Sequence, residues 1–138
     1  DPEISRSWLM FACGAASVVG HCYPVWFNFR GGKGAATLIG MLIAAAPWLL
    51  LYGLLVFAGI IVLTGFVGLA TMSAVTALPI VLLLKGEPGS SPAVIILSLL
   101  ALFIIYMHRA NIARMIRGEE HRMHKVMLFG RRQQHEQN

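Results

Sequence analysis

Two long stretches without any charged residue restrict what this chain can fold into. Residues 34–84 contain no Asp, Glu, Lys, Arg or His, and neither do residues 88–107. About 20 apolar residues cross a bilayer as a helix, so both stretches are long enough to span a membrane. A soluble helical protein would need polar outer faces, which residues 34–84 do not supply. Charged residues make up 12% of the chain, about half of their share in soluble domains, and the sequence therefore predicts an integral membrane protein.

Proline, glycine and polar positions divide the chain into segments of helical length. The predicted fold class is all-α, a polytopic transmembrane helix bundle of about five membrane helices in one domain, residues 1–138. Pro47, the Thr64-Gly65 pair and the turn-rich segment 85–92 are expected to separate helices, and Pro79 is expected to kink one near its end. The expected helices are residues 5–20, 34–46, 48–64, 66–84 and 93–108.

The positively charged residues are distributed unevenly between the two sides of such a bundle. With five crossings, nine of the 11 Lys and Arg residues fall on the side of loop 21–33, and only Arg6 and Lys85 fall on the other. Positive charge is enriched on the cytoplasmic side of membrane proteins, so the first side is predicted to face the cytoplasm. Contact with anionic lipid headgroups explains much of the net charge of +5, and no nucleic-acid partner is predicted.

The segment GHCYPVWFNFRGGKGAAT, residues 20–37, has the most specific order of residues. Three of its glycines allow backbone N–H groups to face one point, which favours anion binding. These glycines are Gly31, Gly32 and Gly34. Arg30 and Lys33 add full charges, and a helix that begins at the end of the loop adds its positive end. The segment is therefore predicted to hold a phosphate group, although its order differs from that of the nucleotide-binding phosphate loop.

A simpler interpretation of this loop stays open, because a flexible turn with one topology-determining lysine also explains a lone GGKG. The length of the predicted helix 34–46 favours the phosphate site. Helix 34–46 would cover about 20 Å at ~1.5 Å per residue, whereas the hydrocarbon layer is about 30 Å thick. The loop is therefore expected to dip below the membrane surface, where non-helical backbone is tolerated only if it is buried in protein or lines a wet cavity.

A second polar cluster, HRANIARMIRGEE at residues 108–120, follows the last predicted membrane helix. His108, Asn111 and Arg114 recur every three residues and are expected on one face of a continuing helix. The alternative interpretation is that these residues only cap carbonyl groups at the helix end or face lipid headgroups. Cys13 and Cys22 predict no disulfide, and no spacing of His or Cys supports a metal site.

Three segments, in this order along the chain, resemble the PlsY family of bacterial membrane acyl-phosphate:glycerol-3-phosphate acyltransferases. Residues 20–37 resemble its second signature, TGFVGLATMSAVTALP at 64–79 resembles its next cytoplasmic segment, and residues 108–120 resemble its third signature. The resemblance covers nearly all of the chain. It implies transfer of a fatty acyl group from acyl phosphate to the 1-position of glycerol 3-phosphate, which gives lysophosphatidic acid in phospholipid synthesis.

The resemblance also implies roles for individual residues. Lys33, His108 and Asn111 are the expected catalytic residues, and Glu120 is expected to be structural, in a pair with a loop cation. The expected substrate-binding residues are Lys33, His21, Arg30, Gly31, Gly32, Gly34 and Arg114. No cofactor, metal or covalent enzyme intermediate is expected, and the substrate phosphate is a candidate acceptor for the proton.

The implied location is the bacterial inner membrane, with multiple crossings and with the active-site loops in the cytoplasm. The implied partners are acyl phosphate, glycerol 3-phosphate, membrane lipid and the soluble acyl-phosphate synthase of the same pathway. The sequence does not specify an oligomeric state.

The sequence also departs from the family pattern. The family begins with a portion that carries a Ser-Gly-Asn-x-Gly-Ala-Thr-Asn signature, which nothing in this sequence matches, so the chain is expected to be truncated at its N-terminal side. Gly68 stands where the family commonly has a serine, and Met107 where an arginine often precedes the histidine. A non-catalytic membrane protein that retains part of the phosphate site is therefore the alternative function. An anion channel or carrier is less favoured, because the sequence has no paired repeats.

Overall fold

The computed structural model describes residues 2–123 and shows a bundle of α-helices. The helices are α1 Pro2–Cys22, α2 Ala35–Ala45, α3 Pro47–Thr64, α4 Val67–Leu84, α5 Pro92–Met107 and α6 Arg109–Ile116. A 3-10 turn, Val25–Phe27, lies in the loop between α1 and α2. All five expected helices are present and no strand occurs within residues 2–123, which confirms the all-α fold class. The expected cations Lys125, Arg131 and Arg132 lie outside the described residues.

The helix ends follow local sequence signals. Pro47 and Pro92 occupy the first turn of α3 and α5, where a missing N–H costs no helical hydrogen bond. Gly65 ends α3 with φ at 73°, and its N–H donates to the carbonyl of Ile61 at 2.8 Å. The α4 helix continues through the buried Pro79 to Leu84, and the kink expected at this proline stays a prediction.

Within residues 2–123, fewer helices than the expected five are long and apolar enough to cross the full hydrocarbon layer. Three spans are long and apolar enough alone: Trp8–Phe27, Pro47–Thr64 and Val67–Leu84. A fourth candidate joins α5 to α6 through a bend of 54°. The difference arises mainly at α2, which has 11 residues and extends about 16 Å at ~1.5 Å per residue. This helix therefore covers about half of the hydrocarbon layer.

The helices pack around a central apolar core. The α4 helix packs against α3 and α5, while α1 packs against α2 and α5. The largest fully buried apolar side chains include Val18, Leu42, Leu49, Leu78, Leu97 and Ile104. Leu55, Leu63 and Leu102 are instead exposed on the outer helix faces, as a lipid environment favours.

Glycines allow two of these helix pairs to approach closely. A Cβ atom on Gly14 of α1 would lie 2.1 Å from Cγ of Met41 on α2. A Cβ atom on Gly53 of α3 would lie 3.1 Å from Cδ2 of Leu78 on α4. Small residues at helix contacts are typical of membrane bundles, where packing rather than water exclusion holds helices together.

One end of the bundle collects the polar segments. Lys33 from the α1–α2 loop contacts Asn111 of α6 there. The N–H of Met123 donates to the carbonyl of Gly65 at 2.9 Å, which ties the segment after α6 to the α3–α4 turn. The two clusters that the sequence predicts on one side of the membrane therefore lie at the same end of the bundle, called here the polar end.

Candidate active site

Two segments that are far apart in the sequence meet at the polar end through one hydrogen bond. The ammonium group of Lys33 donates to Oδ1 of Asn111 at 2.5 Å. Asn111 is buried, with 7% of its surface exposed, whereas Lys33 remains exposed. Charge-assisted hydrogen bonds are among the strongest in proteins, so this contact holds a positive charge at a defined point while leaving it accessible.

Glu120 fixes the orientation of the Asn111 amide. Nδ2 of Asn111 donates to Oε1 of Glu120 at 2.6 Å, and Nε of Arg114 donates to Oε2 of the same carboxylate at 2.6 Å. An ionised carboxylate only accepts and an ammonium only donates, so the amide has a single orientation that satisfies both Lys33 and Glu120. The four residues form a continuous relay from Lys33 through Asn111 and Glu120 to Arg114, called here the polar relay.

The same hydrogen bonds determine the protonation of Glu120. The bond from Arg114, followed by that from Asn111, lowers the pKa of Glu120 because both donors stabilise the ionised carboxylate. The sequence analysis expected Glu120 to pair with a cation of the loop. The structure instead pairs it with Arg114 of α6, and Asn111 connects it to the loop lysine.

His108 lies at the bend between α5 and α6, and not on a straight continuing helix as expected. The two helices differ in direction by 54°, and the apolar α5 gives way at this residue to the more polar α6. His108 is 4% exposed, and its Nδ1 lies 2.8 Å from the carbonyl oxygen of Ile104. Because a carbonyl can only accept, Nδ1 carries the hydrogen and Nε2 is the basic atom of the neutral ring.

The amides of Gly31 and Gly32 do not form the open anion cradle that the sequence predicts. The N–H of Gly31 donates to the carbonyl of Cys22 at 3.1 Å, and that of Gly32 donates to His21 at 3.3 Å. Both bonds satisfy carbonyls at the C-terminal end of α1, which lack partners within the helix. The two glycines therefore hold the loop against α1 and place Lys33, and the positive charge of the site comes from side chains.

Close approach explains why this loop needs glycine. A Cβ atom on Gly32 would lie 2.3 Å from Nε2 of His21, so the imidazole lies directly against the loop. Gly34 has φ at 83° and a Cβ atom on it would lie 2.9 Å from Cγ1 of Val18. The chain thus enters α2 beside the last turns of α1. Arg30 is exposed and forms no ion pair with any residue from 8 to 123.

Gly68 contributes to the site in a way that sequence analysis missed. A Cβ atom on Gly68 would lie 3.2 Å from Cβ of Asn111 and 3.3 Å from its Nδ2. The first turn of α4 therefore leaves room for the amide that connects Lys33 to Glu120. No local signal marks this contact, because it joins residues of different helices.

An apolar cleft of about 130 Å³ opens between α2, α3 and α4. Ala35 and Thr71 line it near the polar end, and Leu42, Leu50 and Leu78 line it farther along the helices. Ala35 follows Lys33 by two positions, so the cleft begins close in the chain to the loop lysine. This combination suits a molecule with an anionic head and an apolar tail.

These features define a class of protein: an integral membrane helix bundle with a cationic site at one end, where the chain meets the membrane boundary. The model of the family described as glycerol-3-phosphate acyltransferase matches residues 3–118, and the chain belongs to this family.

Two curated relatives show the extent of the similarity. The glycerol-3-phosphate acyltransferase of Aquifex aeolicus is 40% identical over 116 residues, which cover 84% of this chain and 59% of the relative. The corresponding protein of Hyphomonas neptunium is 42% identical over 116 residues, which cover 81% and 54%. The chain thus spans somewhat more than half of the length of the curated relatives it matches.

Solved structures agree with this assignment. Crystal structures of PlsY, an integral membrane glycerol 3-phosphate acyltransferase, match in a lysophosphatidic acid form and a glycerol 3-phosphate form, with TM-scores of 0.77 and 0.78. Both are 39% identical to this chain. The matches cover 83% and 84% of this chain, and 58% and 57% of the solved chains. The resemblance to the PlsY family and the multi-pass membrane fold are thereby confirmed.

Proposed function

We propose that this chain carries the cationic site of a glycerol-3-phosphate acyltransferase. The reaction moves a fatty acyl group from acyl phosphate to the 1-hydroxyl of glycerol 3-phosphate and gives lysophosphatidic acid and phosphate. The observation that carries the proposal is the 2.5 Å hydrogen bond between Lys33 and Asn111, which joins two polar clusters beside an apolar cleft. Family membership and the substrate and product forms of the solved relatives support it.

The reaction needs positioning and charge neutralisation more than a protein nucleophile. The hydroxyl oxygen of glycerol 3-phosphate attacks the carbonyl carbon of the acyl phosphate, and the bond from that carbon to the phosphate oxygen breaks. The hydroxyl proton ends on the released phosphate. Because acyl phosphate is an activated mixed anhydride, no covalent enzyme intermediate is required. The protein must align the two molecules and stabilise the negative charge that develops on the carbonyl oxygen.

The residues of the site suit these tasks. Lys33, His108 and Asn111 are the proposed catalytic groups, with the Lys33 ammonium as the fixed positive charge. Glu120 is the proposed structural residue, since it orients Asn111 and Arg114. The proposed substrate-binding residues are Lys33, His21, Arg30, Gly31, Gly32, Gly34 and Arg114. Within that set Gly31 and Gly32 act by placing Lys33, because their amides are bonded to α1.

The surroundings of the site determine where its substrates come from. The apolar cleft beside Ala35 is the proposed place for the start of the acyl chain. In the part of the chain that the structure describes, most positive residues belong to segments of the polar end, which favours a cytoplasmic orientation in the bacterial inner membrane. These residues are Arg30, Lys33, Arg109, Arg114, Arg117 and Arg122. Acyl phosphate would then arrive from the soluble synthase that makes it.

The orientation can be measured with single cysteines in a variant whose two native cysteines are replaced. A cysteine at Ser90, in the exposed loop of the opposite end, should react with a membrane-impermeant maleimide added to intact cells. A cysteine at His121, exposed at the polar end, should react only after lysis. The reverse pattern would contradict the cytoplasmic assignment.

An activity assay tests the function itself. The whole chain is reconstituted in vesicles and given acyl phosphate, with and without glycerol 3-phosphate, while phosphate release and lysophosphatidic acid are measured. The proposal expects both products, and only when glycerol 3-phosphate is present. Calorimetric binding of glycerol 3-phosphate without turnover would instead establish the non-catalytic alternative, and the absence of both would contradict a phosphate site.

A further inference from the structure

An exposed aromatic turn lies between α1 and the loop that carries Lys33. It comprises residues 25–29, Val-Trp-Phe-Asn-Phe, and is called here the aromatic turn. Its three rings are strongly exposed: Trp26 by 92%, Phe27 by 71% and Phe29 by 59%. Exposed apolar side chains on the membrane helices are explained by contact with lipid tails. The aromatic turn lies beyond the last residue of α1, where the candidate span Trp8–Phe27 ends, so contact of a membrane helix with lipid tails does not by itself explain it.

The backbone of the aromatic turn is well ordered by hydrogen bonds. The N–H groups of Phe27 and Phe29 both donate to the carbonyl of Pro24, at 3.1 and 3.0 Å, and that of Arg30 donates to Phe27 at 3.0 Å. The ring of Tyr23 packs edge-on against Phe103 of α5, with centroids 6.1 Å apart. The exposed rings are thus held outward by a defined scaffold.

Two residues of the turn adopt an unusual backbone conformation. Asn28 has φ at 52° and Phe29 has φ at 57°, in the left-handed region that bulky side chains rarely occupy. Such conformations persist where the surroundings determine them and are often associated with function. Here they coincide with an exposed Phe29 ring, so the turn keeps apolar surface exposed despite an unfavourable backbone conformation.

The charge beside the turn indicates what covers it. Arg30 follows directly and has no ion pair within residues 8–123. The acidic residues described at the polar end, Glu119 and Glu120, are already paired with Arg117 and Arg114. Aromatic rings next to an exposed cation, at the end of a membrane helix, match the headgroup region of a bilayer with anionic lipids.

We propose that the aromatic turn inserts into the headgroup region of the bilayer, with the Arg30 guanidinium on the phosphate of an anionic lipid. For Arg30 this adds a lipid contact to the substrate role proposed above. The N–H groups of Gly31 and Gly32 bond to the end of α1, so the segment between the turn and Lys33 is fixed to that helix. Insertion of the turn therefore sets the depth at which Lys33 meets molecules that reside in the membrane.

Tryptophan fluorescence tests this proposal directly, because the chain has three tryptophans. Replacing Trp8 and Trp48 with Phe leaves Trp26 as the reporter, and replacing Trp8 and Trp26 leaves Trp48. The whole chain is reconstituted in vesicles of phosphatidylcholine and phosphatidylglycerol, with bromine atoms either near the headgroups or near the chain ends. Trp26 should be quenched more by the shallow bromines than by the deep ones, and little by iodide in the water.

Trp48, at the opposite end of the bundle, is the matched control for correct insertion. If Trp48 is quenched by brominated lipid while Trp26 is quenched only by aqueous iodide, the turn faces water and membrane insertion is refuted. That result would instead favour a soluble protein as the partner that binds the aromatic turn.

A second comparison tests the charge. Raising the phosphatidylglycerol content should increase the shallow quenching of Trp26, and Arg30→Gln should remove that increase. An increase that persists in Arg30→Gln would refute the lipid contact of Arg30. Neither readout depends on turnover, so failure of this proposal is distinguishable from failure of the acyltransferase proposal.

Discussion

The bundle has a lysine near each end, and the two lysines have different surroundings. Lys33 at the polar end donates to Asn111, which in turn donates to Glu120. Lys85 at the opposite end follows α4, and its ammonium nitrogen lies 5.4 Å from the ring centroids of both Trp48 and Tyr52. One cation is thus held by polar groups from a distant segment, and the other by aromatic faces of the neighbouring helix.

The difference shows how neighbours determine what a lysine can do. An amide whose orientation is fixed by a carboxylate holds an ammonium at one point, which catalysis requires. Ring faces attract a cation without a fixed direction, and aromatic residues with lysine are common anchors at membrane interfaces. We therefore expect Lys33 to serve the reaction and Lys85 to serve the placement of the bundle in the membrane.

The largest expected effect is that of Lys33→Ala on activity. Removing one group that stabilises developing negative charge typically lowers the rate by about 10²–10³-fold, so phosphate release should fall by at least that lower value. Lys85→Ala is the matched control and should retain activity close to wild type, at equal amounts of reconstituted protein. Equal losses in the two variants would show that both lysines act only through folding.

The next effect in size concerns the loop that carries Lys33. Gly34→Ala places a side chain in the left-handed region, which costs about 1–2 kcal/mol, and brings a Cβ atom to 2.9 Å from Val18. The thermal unfolding temperature in detergent should fall. Gly40→Ala in α2 is the control, because a Cβ atom there meets nothing within 4 Å. Alanine favours the helix by roughly 0.5–1 kcal/mol over glycine, so a similar response of the two variants would contradict the tight packing of the loop.

Much of the fold could be predicted because its signals are local. Pro47 and Gly65 mark helix boundaries within a few residues, and the uncharged stretches identify the membrane helices. The sequence also predicted that the second helix, α2, is too short to cross the hydrocarbon layer. The bend at His108 was missed, because a three-residue spacing is compatible with a straight helix as well as with a bent one.

The site could be predicted in part, for a different physical reason. The number of predicted membrane crossings placed Lys33 and Asn111 on the same side of the membrane. In the structure the two residues form a hydrogen bond. Hydrogen-bond partners between segments depend on packing that the sequence does not display. The pairing of Arg114 with Glu120 and the room that Gly68 leaves for Asn111 therefore appeared only in the structure.

A pH experiment sharpens the contrast by testing the polar relay. The folded structure lowers the pKa of Glu120 from its ordinary value of 4.5, through the hydrogen bonds from Arg114 and Asn111. Such a group contributes stability above its unfolded pKa, and this contribution is lost as the pH falls through the folded pKa. The thermal stability of the wild type should therefore decrease as the pH drops below about 4.5, its ordinary value, and Glu120→Gln should lack this component.

Glu119→Gln is the control for that measurement. Glu119 pairs with Arg117, and both side chains are 57% exposed, so their ion pair contributes little to stability. This variant should show the same decrease in thermal stability at low pH as the wild type. If the thermal stability of Glu120→Gln decreases at low pH as much as that of Glu119→Gln, the polar relay does not depend on the charge of Glu120.

The smallest expected effect is that of Lys85→Met on stability. Cation–π contacts at exposed sites are worth about 0.5–1 kcal/mol, so the unfolding temperature should fall less than in Gly34→Ala. Lys85→Arg should preserve it, since a guanidinium also binds ring faces, and the emission of a Trp48 reporter should shift in the methionine variant alone. A loss beyond that of Gly34→Ala, or no recovery with arginine, would mean that Lys85 holds more than the rings of Trp48 and Tyr52. The distinction between an anchoring lysine and a site lysine would then fail.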